Sequence, residues 1–206
     1  MNNTPSGDPH HTLISAEIPL ERTSAWEAII GMLAVGLLYA ALPAQLIIGP
    51  SWLLLVIEAV LLLPLIITIS NRRGLSHKAI RVLILILLGV LTLALAIGVA
   101  LLIITLPTDK HATNLLRSSV LLWSSNILVF GLWYWQIDGG GPVKRHFSGH
   151  QAADFMFPQQ VNGNTDAWVP HFLDYLFLAF TGATALSPAD TYPLTRAGKS
   201  LMMLEA

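Results

Sequence analysis

Glu58 is an acid inside an otherwise apolar run, Leu53-Leu54-Leu55-Val56-Ile57-Glu58-Ala59-Val60-Leu61-Leu62-Leu63-Pro64. An ionised carboxylate at the centre of a bilayer costs several kcal/mol, so an acid there is normally partnered, protonated or functional. Two roles fit it. One is a neutral acid hydrogen-bonded to a neighbouring helix; the other is a proton or cation site in a small secondary transporter. The transporter role would bring an inverted repeat with it, and no internal repeat is visible. Pro64 removes an amide donor further along the same segment and loosens it. A second chemical constellation is His146, His150 and Asp154, spaced i, i+4, i+8, which on a helix would align three metal-capable side chains. Gly139-Gly140-Gly141-Pro142 ahead of it and Gly149 within it disfavour that helix, so no metal site is expected. His10-His11 lacks a nearby third ligand and reads as solvated, and His77 and His111 are lone loop histidines. The remaining polar cluster, Ser118, Ser119, Ser124, Ser125 and Asn126, puts Ser118 over Ser125 and Ser119 over Asn126 at heptad spacing. Small hydroxyl and amide side chains of this kind hold membrane helices together. Gln45 reads the same way, as interhelical packing. No Gly-x-Ser-x-Gly, His-Glu-x-x-His, phosphate loop or dinucleotide fingerprint occurs, so neither catalytic residues nor a cofactor is expected and the chain reads as a non-enzyme.

The elements that must position these residues follow from composition. Apolar residues make up 54% of the chain and charged ones 11%, against about 45–50% and 25% in ordinary soluble domains. The expectation is an all-α polytopic membrane protein whose surroundings are the lipid bilayer. A formal net charge of −1 with dispersed basic residues gives no footprint for nucleic acid. With no cysteine, disulfides and thiolate chemistry are excluded. Residues 1–25 lack the basic-then-apolar order of a signal peptide and read as a disordered tail.

Residues 26–136 read as a four-helix transmembrane domain, with complete crossings at Trp26–Ile48, Ser51–Ile69, Val82–Leu106 and Leu115–Gln136. Each is near the ~20 residues a crossing needs. Gly49-Pro50 makes the first pair an antiparallel hairpin, and Trp133, Tyr134 and Trp135 suit an interfacial aromatic belt. Residues 137–171 form a polar connector. Arg22, Arg72, Arg73, Lys78, Arg81, Lys144 and Arg145 fall on the face of the N-terminus and this connector, against Lys110 and Arg117 opposite. Positive loops stay inside, so a cytoplasmic N-terminus is expected.

Residues 172–206 carry a more specific pattern. An apolar aromatic run, Phe172 to Thr184, passes into Ala185-Leu186-Ser187-Pro188-Ala189-Asp190 and then Tyr192-Pro193-Leu194-Thr195-Arg196-Ala197-Gly198-Lys199. This order resembles the pore loop of tetrameric potassium channels, matching at Thr184, Asp190, Pro193, Thr195, Gly198 and Lys199. The filter positions Ala185–Ala189 depart from it. They have no glycine for unusual backbone angles, and Pro188 restricts both itself and Ser187, which argues against a potassium-coordinating carbonyl ladder. Pro188 and Pro193 both interrupt helix, and Asp190 can accept from orphan amides after it, so a short helix over Phe172–Thr184 ending near Ala185, a non-helical Leu186–Ala189, and Asp190 capping a further helix from about Tyr192 are expected. That last helix is expected to be truncated. In channels the loop enters from outside, whereas the charge count puts its opening in the cytoplasm; either it enters from there, or Phe172–Pro188 is a short fifth crossing.

The stretch Leu132-Trp133-Tyr134-Trp135-Gln136-Ile137-Asp138-Gly139-Gly140-Gly141-Pro142, with Asp154-Phe155-Met156-Phe157-Pro158-Gln159 and Asp174-Tyr175-Leu176, also resembles an uncharacterised family of bacterial multi-pass membrane proteins. This resemblance implies a bacterial inner-membrane location. Three functions are carried forward: an oligomeric permeation protein lined by the loop, a non-conducting scaffold or partner subunit, and a transporter using Glu58.

Overall fold

The computed structural model describes residues 26–71, 77–107, 112–164, 167–184, 186 and 190–206. The tail 1–25, His77's connecting loop 72–76, His111, and the filter-like Ala185, Ser187, Pro188 and Ala189 lie outside these described residues.

The chain is mostly helical. Helix α1 runs over Trp26–Ala40, followed by α2 at Leu53–Asn71, α3 at His77–Thr105 and α4 at Ala112–Ile137. Then come the short α5 at Pro142–Phe147, α6 at Phe172–Ala183 and α7 at Arg196–Glu205. Two-residue strands β1 (Phe155–Met156) and β2 (Tyr192–Pro193) pair antiparallel, Phe155 opposite Pro193 and Met156 opposite Tyr192.

Among the described residues two helices, α3 and α4, are long and apolar enough to cross a membrane, where the sequence reading has four complete crossings. The difference has a local cause. The first apolar run continues to Ile48 in composition, yet its helix stops at Ala40 because Pro43 offers no amide and disfavours helix in the residue before it. The fifteen described residues of α1 reach about 22 Å. The second run starts its helix at Leu53 and carries it to Asn71. Gly49, at φ 85, makes the turn between them. By contrast α3 is longer than its apolar run, because the cationic Lys78–Arg81 turn is helical too.

Helix α4 sits at the centre, packed on α3 on one side and α6 on the other. Leu132, Val129 and Tyr134 of α4, Leu88 and Leu91 of α3, and Tyr175 and Ala179 of α6 are all fully buried. Gly131 brings α4 and α6 together: a Cβ there would lie 3.1 Å from the Leu176 Cα. Close backbone approach through small residues is the usual packing device of membrane helices. Of the expected aromatic belt, Tyr134 and Trp135 are instead buried within the protein, and Trp133 Nε1 donates to Thr92 Oγ1 of α3 at 2.8 Å. These rings serve packing, since α4 is covered on both sides at this level. Gln45 is exposed rather than packed between helices.

Candidate functional site

The end of α4 carries a buried polar network that holds the C-terminal hairpin. Asp138 follows α4 directly and is 2% exposed. Its Oδ1 accepts the Asp154 and Phe155 amides at 2.9 and 3.2 Å, and its Oδ2 accepts the Tyr175 hydroxyl at 2.6 Å. Gly139, Gly140 and Gly141 all have positive φ, which lets the chain reverse tightly enough to bring α5 back. Arg145 of α5 is thereby buried: its Nη1 donates to the carbonyls of Trp135 and Asp138 at 2.6 and 2.7 Å, and its guanidinium lies 5.1 Å from the Tyr175 ring centre. A buried cation needs such partners, and here carbonyl oxygens and a ring face supply them. Asp154 completes the frame. Its Oδ2 accepts the Gly139 amide at 3.0 Å and its Oδ1 the Thr195 hydroxyl at 2.6 Å.

Both C-terminal helices start at this network. Tyr175, in the first turn of α6, touches Asp138 at the C-terminal end of α4, whereas Phe180 packs edge-on to Trp123 with ring centres 6.2 Å apart. Trp123 lies roughly four turns back along α4. Helix α6 therefore runs antiparallel to α4, away from the network. At its far end the Leu186 amide donates to the Thr181 carbonyl at 3.1 Å. By Leu194 the chain is back, its amide bonded to the Asp154 carbonyl at 2.8 Å. Helix α7 then leaves from the same face, and Glu205, near its end, lies against Gly182 of α6 and accepts the Tyr134 hydroxyl of α4. The Asn126 amide group also donates to the Glu205 carbonyl at 3.4 Å. Helices α6 and α7 thus start at one face and run side by side.

The short helix falls where the sequence places it, ending at Ala183 with Thr184 as its C-cap. Leu186 is non-helical and exposed. The cap of the next helix is corrected. Asp190 is exposed in a bend, Tyr192 and Pro193 form β2, and Thr195 caps α7 by accepting the Gly198 amide at 3.2 Å. The pairing of β2 with β1 holds the chain extended through Pro193, so the helix cannot start earlier. At the start of α6, the His171 amide donates to Asp174 Oδ2 at 2.7 Å. Burial raises the Asp174 carboxyl above its ordinary value, against the lowering influence of that amide and of the His171 ring.

Glu58 is fully buried, and neither carboxylate oxygen has a hydrogen-bond partner among the described residues. It lies in the second turn of α2 against Gly36 of α1, so a Cβ at Gly36 would fall 1.8 Å from Oε2. Among the described residues no neighbouring helix offers it a hydrogen bond, and Gly36 of α1 packs against it. His146 and His150 do approach, with ring centres 5.7 Å apart, but α5 ends at Phe147 and the Asp154 carboxylate is engaged by Gly139 and Thr195. No group of three metal-capable side chains occurs among the described residues.

The serine stripe divides. Ser118 and Ser125 are buried, Ser125 donating to the Leu121 carbonyl at 2.8 Å. Ser119 and Asn126 line an apolar groove of about 610 Å³ between α3 and α4, with Thr92 above and Glu205 beside them. Asp138, Arg145, Tyr175 and the Tyr134–Glu205 pair are site residues that the sequence reading does not single out. The signal for the first was an acid directly before three glycines. Comparison of the chain with protein-family models, curated proteins and solved structures finds no match.

Proposed function

We propose that this is an oligomeric permeation protein of a cell membrane, in which the return segment between α6 and α7 lines the path. The observation that carries the reading is that α6 and α7 both begin at the Asp138–Asp154 network while α6 runs away from it, so the end of α6 and the start of α7 lie at different levels of the protein. Irregular backbone at membrane depth is tolerated only where protein or a wet cavity shields it. Leu186 and Asp190 are exposed in a single chain, which is why the path is assigned to an axis shared between copies. The two long apolar helices support the membrane setting.

Potassium selectivity is not part of the proposal, because Ala185–Ala189 lacks the glycines a carbonyl filter uses. A bacterial inner membrane with the N-terminus and residues 137–171 in the cytoplasm is the orientation proposed. Arg145, buried and bonded, drops out of the charge count, yet Arg22, Arg72, Arg73, Lys78, Arg81 and Lys144 still outweigh Lys110 and Arg117. On this orientation the loop enters from the cytoplasmic face.

The test is flux from proteoliposomes containing the full chain, with potassium, sodium and small neutral solutes loaded in turn. Release above that of empty vesicles, reduced by Leu186→Trp, supports the reading. Baseline release of every solute from folded, inserted protein overturns it.

A further inference from the structure

We propose that Glu58 and Gly36 form a proton-binding site between α1 and α2, a carboxyl that exchanges its proton with solvent at the hairpin end of these helices. The ligand is the proton itself, and the site is independent of the permeation reading.

The seat has three properties. First, it is closed: Glu58 has no exposed surface, and neither oxygen meets a donor or acceptor among the described residues. Leaving an ionised carboxylate in such a place costs several kcal/mol, so the closed seat holds the neutral acid. Second, it is shaped for the carboxyl. Gly36 is the only residue that leaves room for it, because the smallest side chain there would overlap Oε2 at 1.8 Å. Third, the seat is near an exit. Gly36 lies one turn before α1 ends at Ala40, and Glu58 in the second turn of α2, about 8 Å from its start at Leu53. The connection between the helices, from Ala44 through Trp52, is exposed over much of its length.

Among the described residues, the groups that could otherwise satisfy the acid do not reach it. On α1 the titratable side chains are Glu27, whose Oε2 is itself buried without a partner, and Tyr39, which faces a small cavity beside Leu54, Leu91 and Ser125. On α3 the cations Lys78 and Arg81 sit in the first turns, about 20 Å along α2 from Glu58. On α4, Arg117 Nη2 donates to the Ala41 carbonyl at 3.1 Å, at the mouth of the hairpin. A metal ion is not the ligand, since it needs several oxygen donors and a lone carboxylate offers too few. In the exchange step the carboxyl O–H bond breaks, the oxygen keeps the electron pair, and the proton passes to water admitted when α1 and α2 part. The ion then remains hydrated until a proton returns and the seat closes. Arg117 at the mouth favours the ionised, open form.

The experiment uses the full chain in lipid nanodiscs, with dicyclohexylcarbodiimide as probe, since this apolar reagent reacts with neutral carboxyls in apolar surroundings. Modified peptides are quantified by mass spectrometry across pH. The expected result is labelling at Glu58 that falls about tenfold per pH unit once the site ionises. Gly36→Ala should displace the carboxyl and shift that profile, while Glu58→Gln, which keeps the shape, should abolish the label and leave size-exclusion behaviour unchanged. Absence of label at every pH overturns the proposal. Label that does not vary with pH overturns it too, because it would mean a permanently locked acid. Neither readout requires flux, so failure here is distinct from failure of the permeation reading.

Discussion

The Tyr175 hydroxyl donates to Asp138 Oδ2 at 2.6 Å, joining the first turn of α6 to the residue that ends α4. Both residues are buried, and the same carboxylate also receives two backbone amides. Asp138 is thus the point from which the depth and direction of the C-terminal hairpin are set.

Tyr175→Phe leaves one Asp138 oxygen short of its strongest donor. A loss of about 1–3 kcal/mol is expected for a buried acceptor left unsatisfied. Asp138→Ala orphans the Asp154 and Phe155 amides as well and should cost more. Thermal unfolding in detergent, with hydrogen exchange read at the α6 amides, checks the order; equal stability of the two variants would contradict it.

Gly131→Val should force α6 off α4. The added Cβ alone lies 3.1 Å from a backbone atom, the Leu176 Cα, which cannot rotate away. Overpacking of this kind costs about 1–3 kcal/mol. Gly89, with open space around it, is the matched control, and Gly89→Ala should be neutral or slightly stabilising.

Thr195 and Asp190 make a discriminating pair for the cap of α7. Thr195→Ala removes both the bond from the Gly198 amide and that to Asp154, so a loss of about 0.5–2 kcal/mol is expected. Asp190→Ala, at an exposed bend, should change stability by less than about 0.5 kcal/mol. A larger effect at Asp190 would restore the cap expected from its carboxylate in the sequence.

Orientation can be read with two cysteines, because the chain contains none of its own. Ser51→Cys and Ser148→Cys place thiols at exposed positions on opposite ends of the helices. An impermeant maleimide applied to intact cells should label the first and spare the second. The reverse pattern would put the opening of the hairpin outside, as in potassium channels.

Local signals in the sequence carried some elements well and others not at all. The α6 helix and its end were legible because an apolar run gives way to Thr, Gly and Pro within a few residues, a punctuation that acts through neighbours alone. The end of α1 was not, since apolar composition continues to Ile48 and masks the break that Pro43 imposes. Thr195 was passed over as a cap in favour of the acid nearer the filter, although it stands three residues before the amide it accepts; the strand pairing that delays the helix is a long-range contact. The Asp138–Tyr175 bond spans 37 positions of sequence, and no pattern within either segment reports it. At Glu58 the oddity was visible and its surroundings were not, because a glycine on another helix leaves no chemical signature.

The segment between Thr184 and Leu194 is tethered at both ends, by α6 packed on α4 and by Asp154. A chain so anchored is a closed loop whose entropy changes slowly with length, by about 0.6 kcal/mol per doubling. Changes in its length therefore cost the frame little, while the frame fixes where its residues are displayed. The fold separates the contacts needed for folding from a stretch free to be tuned, and on the permeation reading proposed above, changes that tune the path would fall in that loop without unfolding the helices that present it.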